Sequence, residues 1–125
     1  MCEEKLIIPG ELPDLNTIIT KAKLKRKNYQ AYSQLKEKYT DLVAWSAKEQ
    51  KIKKYKKIDL VVTFYCKNKR KDKDNILAGL KFILDGLVKA GVIENDGWKQ
   101  IGKFENIDFK VDKYNPRIEV ILKEV

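Results

Sequence analysis

The sequence contains no histidine. That excludes Ser-His-Asp and Cys-His catalysis, zinc held by histidine, and histidine general bases. Cysteine is scarce as well. Cys2 and Cys66 have no metal-ligand spacing and build no disulfide framework, so reduced thiols and a cytoplasmic location are expected. No apolar run approaches the roughly 18–20 residues that a membrane-spanning helix needs. With 36% charged residues, no membrane partner is expected. The opening MCEEKLIIPG lacks the charged start and apolar stretch of a signal peptide. Repeats and low-complexity linkers are missing too. Any chemistry must therefore use carboxylates, lysines, hydroxyls or a hard metal ion.

What the chain does have is charge and enough apolar residues for a core. Its 125 residues, 43% of them hydrophobic, suggest one domain over residues 1–125. Against 18 Asp and Glu stand 27 Lys and Arg, a net charge of +9 with pI near 9.4. This balance favours a polyanionic partner; the alternative is a soluble basic protein without one.

The coarse pattern is strand, long helix, strand, helix, strand or strands. EKLIIPGEL reads as a short strand stopped at Pro9-Gly10. From about Asn28 to Lys51, Tyr32, Leu35, Tyr39, Leu42 and Trp45 recur at helical steps. KKIDLVVTFYC is the clearest strand, rich in β-branched and aromatic residues. WKQIGKFENIDFKVD predicts one or two short strands, and NPRIEVILKEV a closing strand alternating Ile118, Val120 and Leu122 with charged residues. The fold class expected is α/β (α+β): a small mixed β-sheet with a long helix and a second, site-bearing helix packed on it.

Between the second strand and that helix, the basic residues Lys67, Lys69, Arg70, Lys71 and Lys73 enclose two aspartates, Asp72 and Asp74. A helix is predicted from about Asp74 to Lys89, ending at Ala90-Gly91, where glycine suits the left-handed cap position. At 100° per residue Asp74, Lys81 and Asp85 fall on one polar stripe, and Ile76, Leu77, Leu80, Ile83, Leu84, Leu87 and Val88 on a broad apolar face. Gly79 and Gly86 form a smooth patch where another backbone could approach. Asp74 stands where an N-cap belongs, which is its purely structural reading. Capping explains neither Asp72 nor Lys81. Two carboxylates two residues apart, joined by a third, make a hard oxygen site for Mg²⁺. Such an ion serves phosphodiester hydrolysis, with a nearby lysine stabilising the transition state and basic flanks attracting the phosphate backbone. A lone D-x-D is weak evidence; nucleotide-sugar transferases use one too, on a much longer chain.

Two further basic runs, Lys21 to Lys27 (with Lys23, Lys25, Arg26 and Lys27) and Lys51 to Lys57, are expected phosphate-contact patches, with Tyr29 and Tyr55 beside them. Solvated surface lysine is the alternative for each. Asn16 is expected to order a turn. Trp98 and Phe104 are expected in the core, with base unstacking at a junction as the alternative.

RKDKDNILAGLKFILDGLVKAGVIEND resembles the RusA family of Holliday-junction resolvases. That family carries D-x-D-N at the start of a helix, a lysine on the helix, an aspartate one turn later, an A-G that ends it and an acidic pair soon after. Here these are Asp72, Asp74 and Asn75, then Lys81, Asp85, Ala90-Gly91 and Asn95-Asp96. The likeness is close from Arg70 to Asp96 and looser over IPGELPDLN and NPRIEVILKE. Better-known members place the lysine one turn after the second aspartate, where this chain has Ala78. The acidic pair keeps only its second carboxylate.

The resemblance implies a Mg²⁺-dependent endonuclease, with Mn²⁺ substituting and no small-molecule cofactor, that acts as a homodimer on four-way DNA junctions. It implies Asp72, Asp74 and Asp96 as metal ligands and Lys81 as the essential lysine. Help from Glu94, Asn95 or Asp85 stays open. It also suggests a substrate contact for Asn16, and the dimer contact is sought among exposed apolar residues from Trp98 to Val125. Two other readings stand beside this one: a non-catalytic protein that binds branched DNA, and a nuclease for other branched DNA such as flaps.

Overall fold

A computed structural model describes residues 3–23 and 30–125. The elements run β1 (Glu3–Pro9), α1 (Leu15–Lys23), α2 (Gln30–Glu49), β2 (Ile58–Cys66), α3 (Lys73–Leu77), α4 (Leu80–Lys89), β3 (Ile101–Val111) and β4 (Arg117–Glu124). The four strands form one mixed sheet in the order β1-β4-β2-β3. β4 pairs antiparallel with both β1 and β2, whereas β3 runs parallel to β2. The expected small mixed sheet with helices packed on it is therefore the observed architecture.

Strand alternation sets which sheet face is covered. In β2, Ile58, Leu60, Val62, Phe64 and Cys66 are buried, while Asp59, Val61, Thr63 and Tyr65 on the other face are half-buried. Ile118, Val120 and Leu122 of β4 and Leu6 and Ile8 of β1 join the first set. Val43 and Ala47 of α2 and Ile83 and Leu87 of α4 close over it in one core. Each large side chain buried there contributes about 1.5–3 kcal/mol of transfer free energy. β1 is an edge strand, and its exposed backbone is partly satisfied by Gln50, whose side-chain amide accepts from Ile7 N (2.9 Å) and donates to Ile7 O (2.7 Å).

The helix expected from Asp74 to Lys89 is two helices. Ala78 and Gly79 adopt the tight right-handed values φ −57°, ψ −20° and φ −62°, ψ −19°. Gly79 N donates to Ile76 O at 3.0 Å, a three-residue step. A glycine in mid-helix lowers helix propensity by about 1 kcal/mol relative to alanine. Here the Leu12 side chain packs against the same residue, 3.2 Å from where a Cβ would stand. The end of α4 is as expected, with Gly91 at φ +78°.

The smooth patch is used at Gly86, where α4 crosses α2. A side chain on Gly86 would fall inside the van der Waals envelope of Val43 and 3.1 Å from the Thr40 carbonyl oxygen. Tyr39 meets Phe82 edge-on beside it, with ring centroids 6.1 Å apart. Gly86→Ala is expected to cost about 1–3 kcal/mol of stability through overpacking, read as a lower midpoint in urea denaturation. An unchanged midpoint would show that the helices slide apart freely.

Four aromatic expectations change. Trp98 is 96% exposed, and Phe104 and Trp45 are also exposed rather than core residues. Tyr55, expected beside a phosphate patch, is buried, and its hydroxyl donates to Glu4 Oε1 at 2.6 Å.

Candidate active site

β2 ends at Cys66, and the chain then crosses the open end of the sheet before α3 begins. Asn68 Oδ1 accepts from Arg70 N (3.0 Å), a side-chain-closed turn of the kind Asn favours. Glu11 Oε2 accepts from Lys67 N (3.2 Å). Lys71 Nζ lies 2.9 Å from Asp14 Oδ2. The loop is thus held against the β1–α1 turn at two points.

The N-cap of α3 is Asp72, not Asp74. Its backbone is extended (φ −71°, ψ 152°), and its side chain makes no capping hydrogen bond. A carboxylate at an N-cap normally accepts from the second or third helical amide. This one leaves its oxygens directed elsewhere. Asp74 lies in the first turn, where Oδ1 accepts from Asn75 N at 3.0 Å. Both aspartates are exposed.

Asp72 lines a groove with Lys69, Lys71, Lys73 and Lys110, floored by Phe109 and Ile76. Lys73 Nζ stands 5.9 Å from the Phe109 ring centroid. Lys67, Lys69, Arg70 and Lys73 are exposed and open to an anion. Lys71 differs, because its ammonium is engaged by Asp14. Lys110 comes from β3 and had no sequence signal. Lys25, Arg26 and Lys27 lie outside the described residues, as does the side chain of Lys23. Asn16 is an exposed residue in the first turn of α1, inside the helix rather than in the turn expected for it. Asp14 orders that turn instead, accepting from Thr17 N through Oδ1 at 2.7 Å. An aspartate directly ahead of the apolar residues Leu15, Ile18 and Ile19 was the legible sign of a cap.

Lys81 lies beyond the break at Gly79, so the 100°-per-residue count that aligned it with Asp74 does not hold. It pairs with Asp85 one turn along α4, Nζ to Oδ2 3.8 Å. Asp85 Oδ2 is otherwise buried without a hydrogen-bond partner among the described residues.

Asp96 is not brought to Asp72 and Asp74 within one chain. β3 is parallel to β2, so the connection must return to the end of the sheet where β2 starts. Tyr55 N donates to Val92 O (2.7 Å) and Ile58 N to Gln100 O (2.9 Å), which fixes the 92–100 segment at that end. The nine residues of β2 separate the two ends, about 26 Å at roughly 3.3 Å per residue. Glu94, Asn95 and Asp96 are exposed there, and Asn95 Oδ1 accepts from Asp96 N (2.9 Å). The Lys51 to Lys57 run precedes β2 and shares this end, away from the acidic loop. Among the described residues, no group of three or more His, Cys, Asp or Glu side chains is placed to hold a metal ion.

The local electrostatics follow these contacts. Burial pushes the Asp14 carboxyl up, but the Thr17 N–H and the Lys71 ammonium outweigh it and hold it below the usual carboxylate range. Lys71 is raised, first by its hydrogen bond to Asp14. The carboxylate's contribution to stability is lost only as pH falls through its lowered value. The lysine's is lost only as pH rises through its raised one. The pair therefore stays charged across the neutral range. The buried Cys66 thiol is pushed up, first by burial and then by Glu11, which makes it a poor nucleophile.

Compared with known proteins, the chain matches no family model and no curated protein.

Proposed function

We propose that this chain is a divalent-metal-dependent endodeoxyribonuclease that resolves four-way DNA junctions by paired, symmetric phosphodiester hydrolysis. The observation that carries the reading is the Asp72 carboxylate, at a helix start yet unused in capping, on the wall of a groove whose other charged lining residues are all lysines. A groove built only to grip phosphate gains nothing from that negative charge.

The donors present suit Mg²⁺ or Mn²⁺. Such an ion is commonly held by one or two carboxylates together with substrate phosphate oxygens. Asp72 and Asp74 supply two exposed carboxylates at one helix start. When bound, the ion would activate water and neutralise charge on the phosphate undergoing hydrolysis. The chain's own residues do the rest. Lys69, Arg70, Lys73 and Lys110 draw the backbone into the groove. Asp96 completes the acidic set only from a second copy, because its own copy holds it at the far end of the sheet. A two-fold dimer brings unlike ends of two sheets together twice, giving two equivalent sites for two strands of like polarity. Among the described residues no helix is long and apolar enough to cross a membrane, and a cytoplasmic location belongs to this reading.

The test compares synthetic four-way, flap and linear duplex DNA in Mg²⁺ and in excess chelator. Symmetric cuts in the four-way substrate alone, abolished by chelator, are expected. Equal cutting of flaps would move the substrate to branched DNA generally, and robust cleavage in chelator would rule out the mechanism. Tight junction binding with no cleavage in any metal would select the second reading, a non-catalytic branched-DNA-binding protein. The observation favouring that reading is the absence of a three-carboxylate cluster among the described residues of one chain.

Lys81 enters as the cation that stabilises the reacting phosphate. Lys81→Ala is expected to lower the cleavage rate at saturating junction by about 10²-fold with little change in binding. Lys81→Arg keeps the pair to Asp85 yet should not fully restore the rate, because a planar guanidinium replaces a compact ammonium. A wild-type rate in Lys81→Ala would transfer the role to Lys73.

A further inference from the structure

We propose that the Asp14–Lys71 ion pair positions the acidic loop, and that Lys71 is a positioning residue rather than a phosphate contact. The proposal rests on the reading of Asp72 as a site residue. Lys71 is the residue immediately before Asp72, so fixing its side chain fixes the direction in which the chain enters α3. Asp14 is only 7% exposed, and both its oxygens are used. Oδ1 accepts from Thr17 N at 2.7 Å, and Oδ2 lies 2.9 Å from Lys71 Nζ. The carboxylate therefore ties the start of α1 to the start of α3. The second tie, Lys67 N to Glu11 Oε2, holds the other end of the same loop against the same turn. Within α3 only Ile76 and Leu77 pack against the core, and residues 69–74 ahead of them are exposed, so packing does little to set the path of the loop into the helix. The two ties supply what packing does not.

This reading separates Lys71 from its four basic neighbours. A lysine in contact with phosphate releases counterions on binding, and its loss lowers the salt slope of affinity by about one. A lysine whose ammonium is held by a mostly buried carboxylate makes no such contribution. Its loss instead loosens the loop.

Three variants test the proposal: Asp14→Asn, Lys71→Met and the pair together, with Lys71→Arg as the conservative control. The first measurement is amide hydrogen exchange of the metal-free protein. Exchange at Arg70 and Ile76 is expected to rise at least about tenfold in both single variants and to stay near wild type in Lys71→Arg. The second is junction affinity against salt, where Lys71→Met is expected to keep the wild-type slope. The third is cleavage at saturating junction, where the double variant is expected to be no slower than either single one, because all three remove the same contact. Exchange within about twofold of wild type in both single variants, or a salt slope reduced by about one in Lys71→Met, would overturn the proposal. Asp14 also caps α1, so if Asp14→Asn fails to fold, Lys71→Met decides alone with the cap intact. If the wild-type protein cuts no DNA, the nuclease reading fails, and exchange still decides whether the pair positions the loop.

Discussion

Asp74→Asn is expected to lower junction cleavage by about 10³-fold while leaving the fold and junction binding intact. The magnitude is that of losing about 4 kcal/mol of transition-state stabilisation when one carboxylate leaves a hard-metal site. The structure isolates that effect. Asp74 is exposed, is not the cap of α3, and its side chain makes one hydrogen bond among the described residues, from Asn75 N to Oδ1. An asparagine side-chain oxygen can accept the same bond, and exposed substitutions of this kind change stability by about 0.5 kcal/mol or less. Removing a negative charge from a lysine-lined groove should tighten the grip on DNA, if it changes at all. Thermal melting, junction affinity and single-turnover cleavage, measured on one preparation, check all three statements. A folded variant that cuts at the wild-type rate would remove Asp74 from the site.

Much of this frame was legible in the sequence, and particular residues show where legibility stops. β2 and β4 could be read because their buried sets repeat every second residue and each strand has one covered face. Gly91 could be read because a positive φ leaves few other choices. The break at Gly79 could not, since a lone glycine is tolerated in a helix and the residue that packs on it, Leu12, is far away in the chain. Lys71 looked like its neighbours, because nothing local marks Asp14 as its partner. Asp14 itself reads as a cap, and only the fold shows that its second oxygen faces the loop. Trp98 was misread because an aromatic side chain in a connection has no periodicity to reveal its exposure.

Asp96 teaches the most. It follows Asp72 by only 24 positions, and a cluster of aspartates along a sequence invites one site. A strand–helix–parallel strand unit forbids that arrangement. The segment after its first strand and the segment before its second lie at opposite ends of the sheet. The sequence pattern left the direction of β3 open, and that direction decides whether the three carboxylates can meet in one chain.

A shared site makes a sharp prediction about two inactive proteins. Asp72→Asn and Asp96→Asn are each expected to be inactive alone as homodimers, since every site in either lacks one carboxylate. When the two are mixed and allowed to exchange subunits, the mixed dimer has one site with both substitutions and one with none. The intact site takes Asp72 and Asp74 from the Asp96→Asn copy and Asp96 from the Asp72→Asn copy. Activity should therefore return from two dead preparations. With equal amounts and free exchange, half the dimers are mixed and each has one working site, so about a quarter of the wild-type sites are restored. The product should be a junction nicked in one strand, because resolution needs both sites of a dimer. Gel analysis of nicked and resolved products from an end-labelled four-way junction distinguishes the outcomes, and light scattering establishes the dimer at the assay concentration. If Asp96→Asn alone cuts at the wild-type rate, Asp96 is no ligand. If both variants are dead and the mixture stays dead despite verified exchange, each site is built within one chain, which would require the Asp96 segment to leave the end of the sheet where Val92 and Gln100 now hold it.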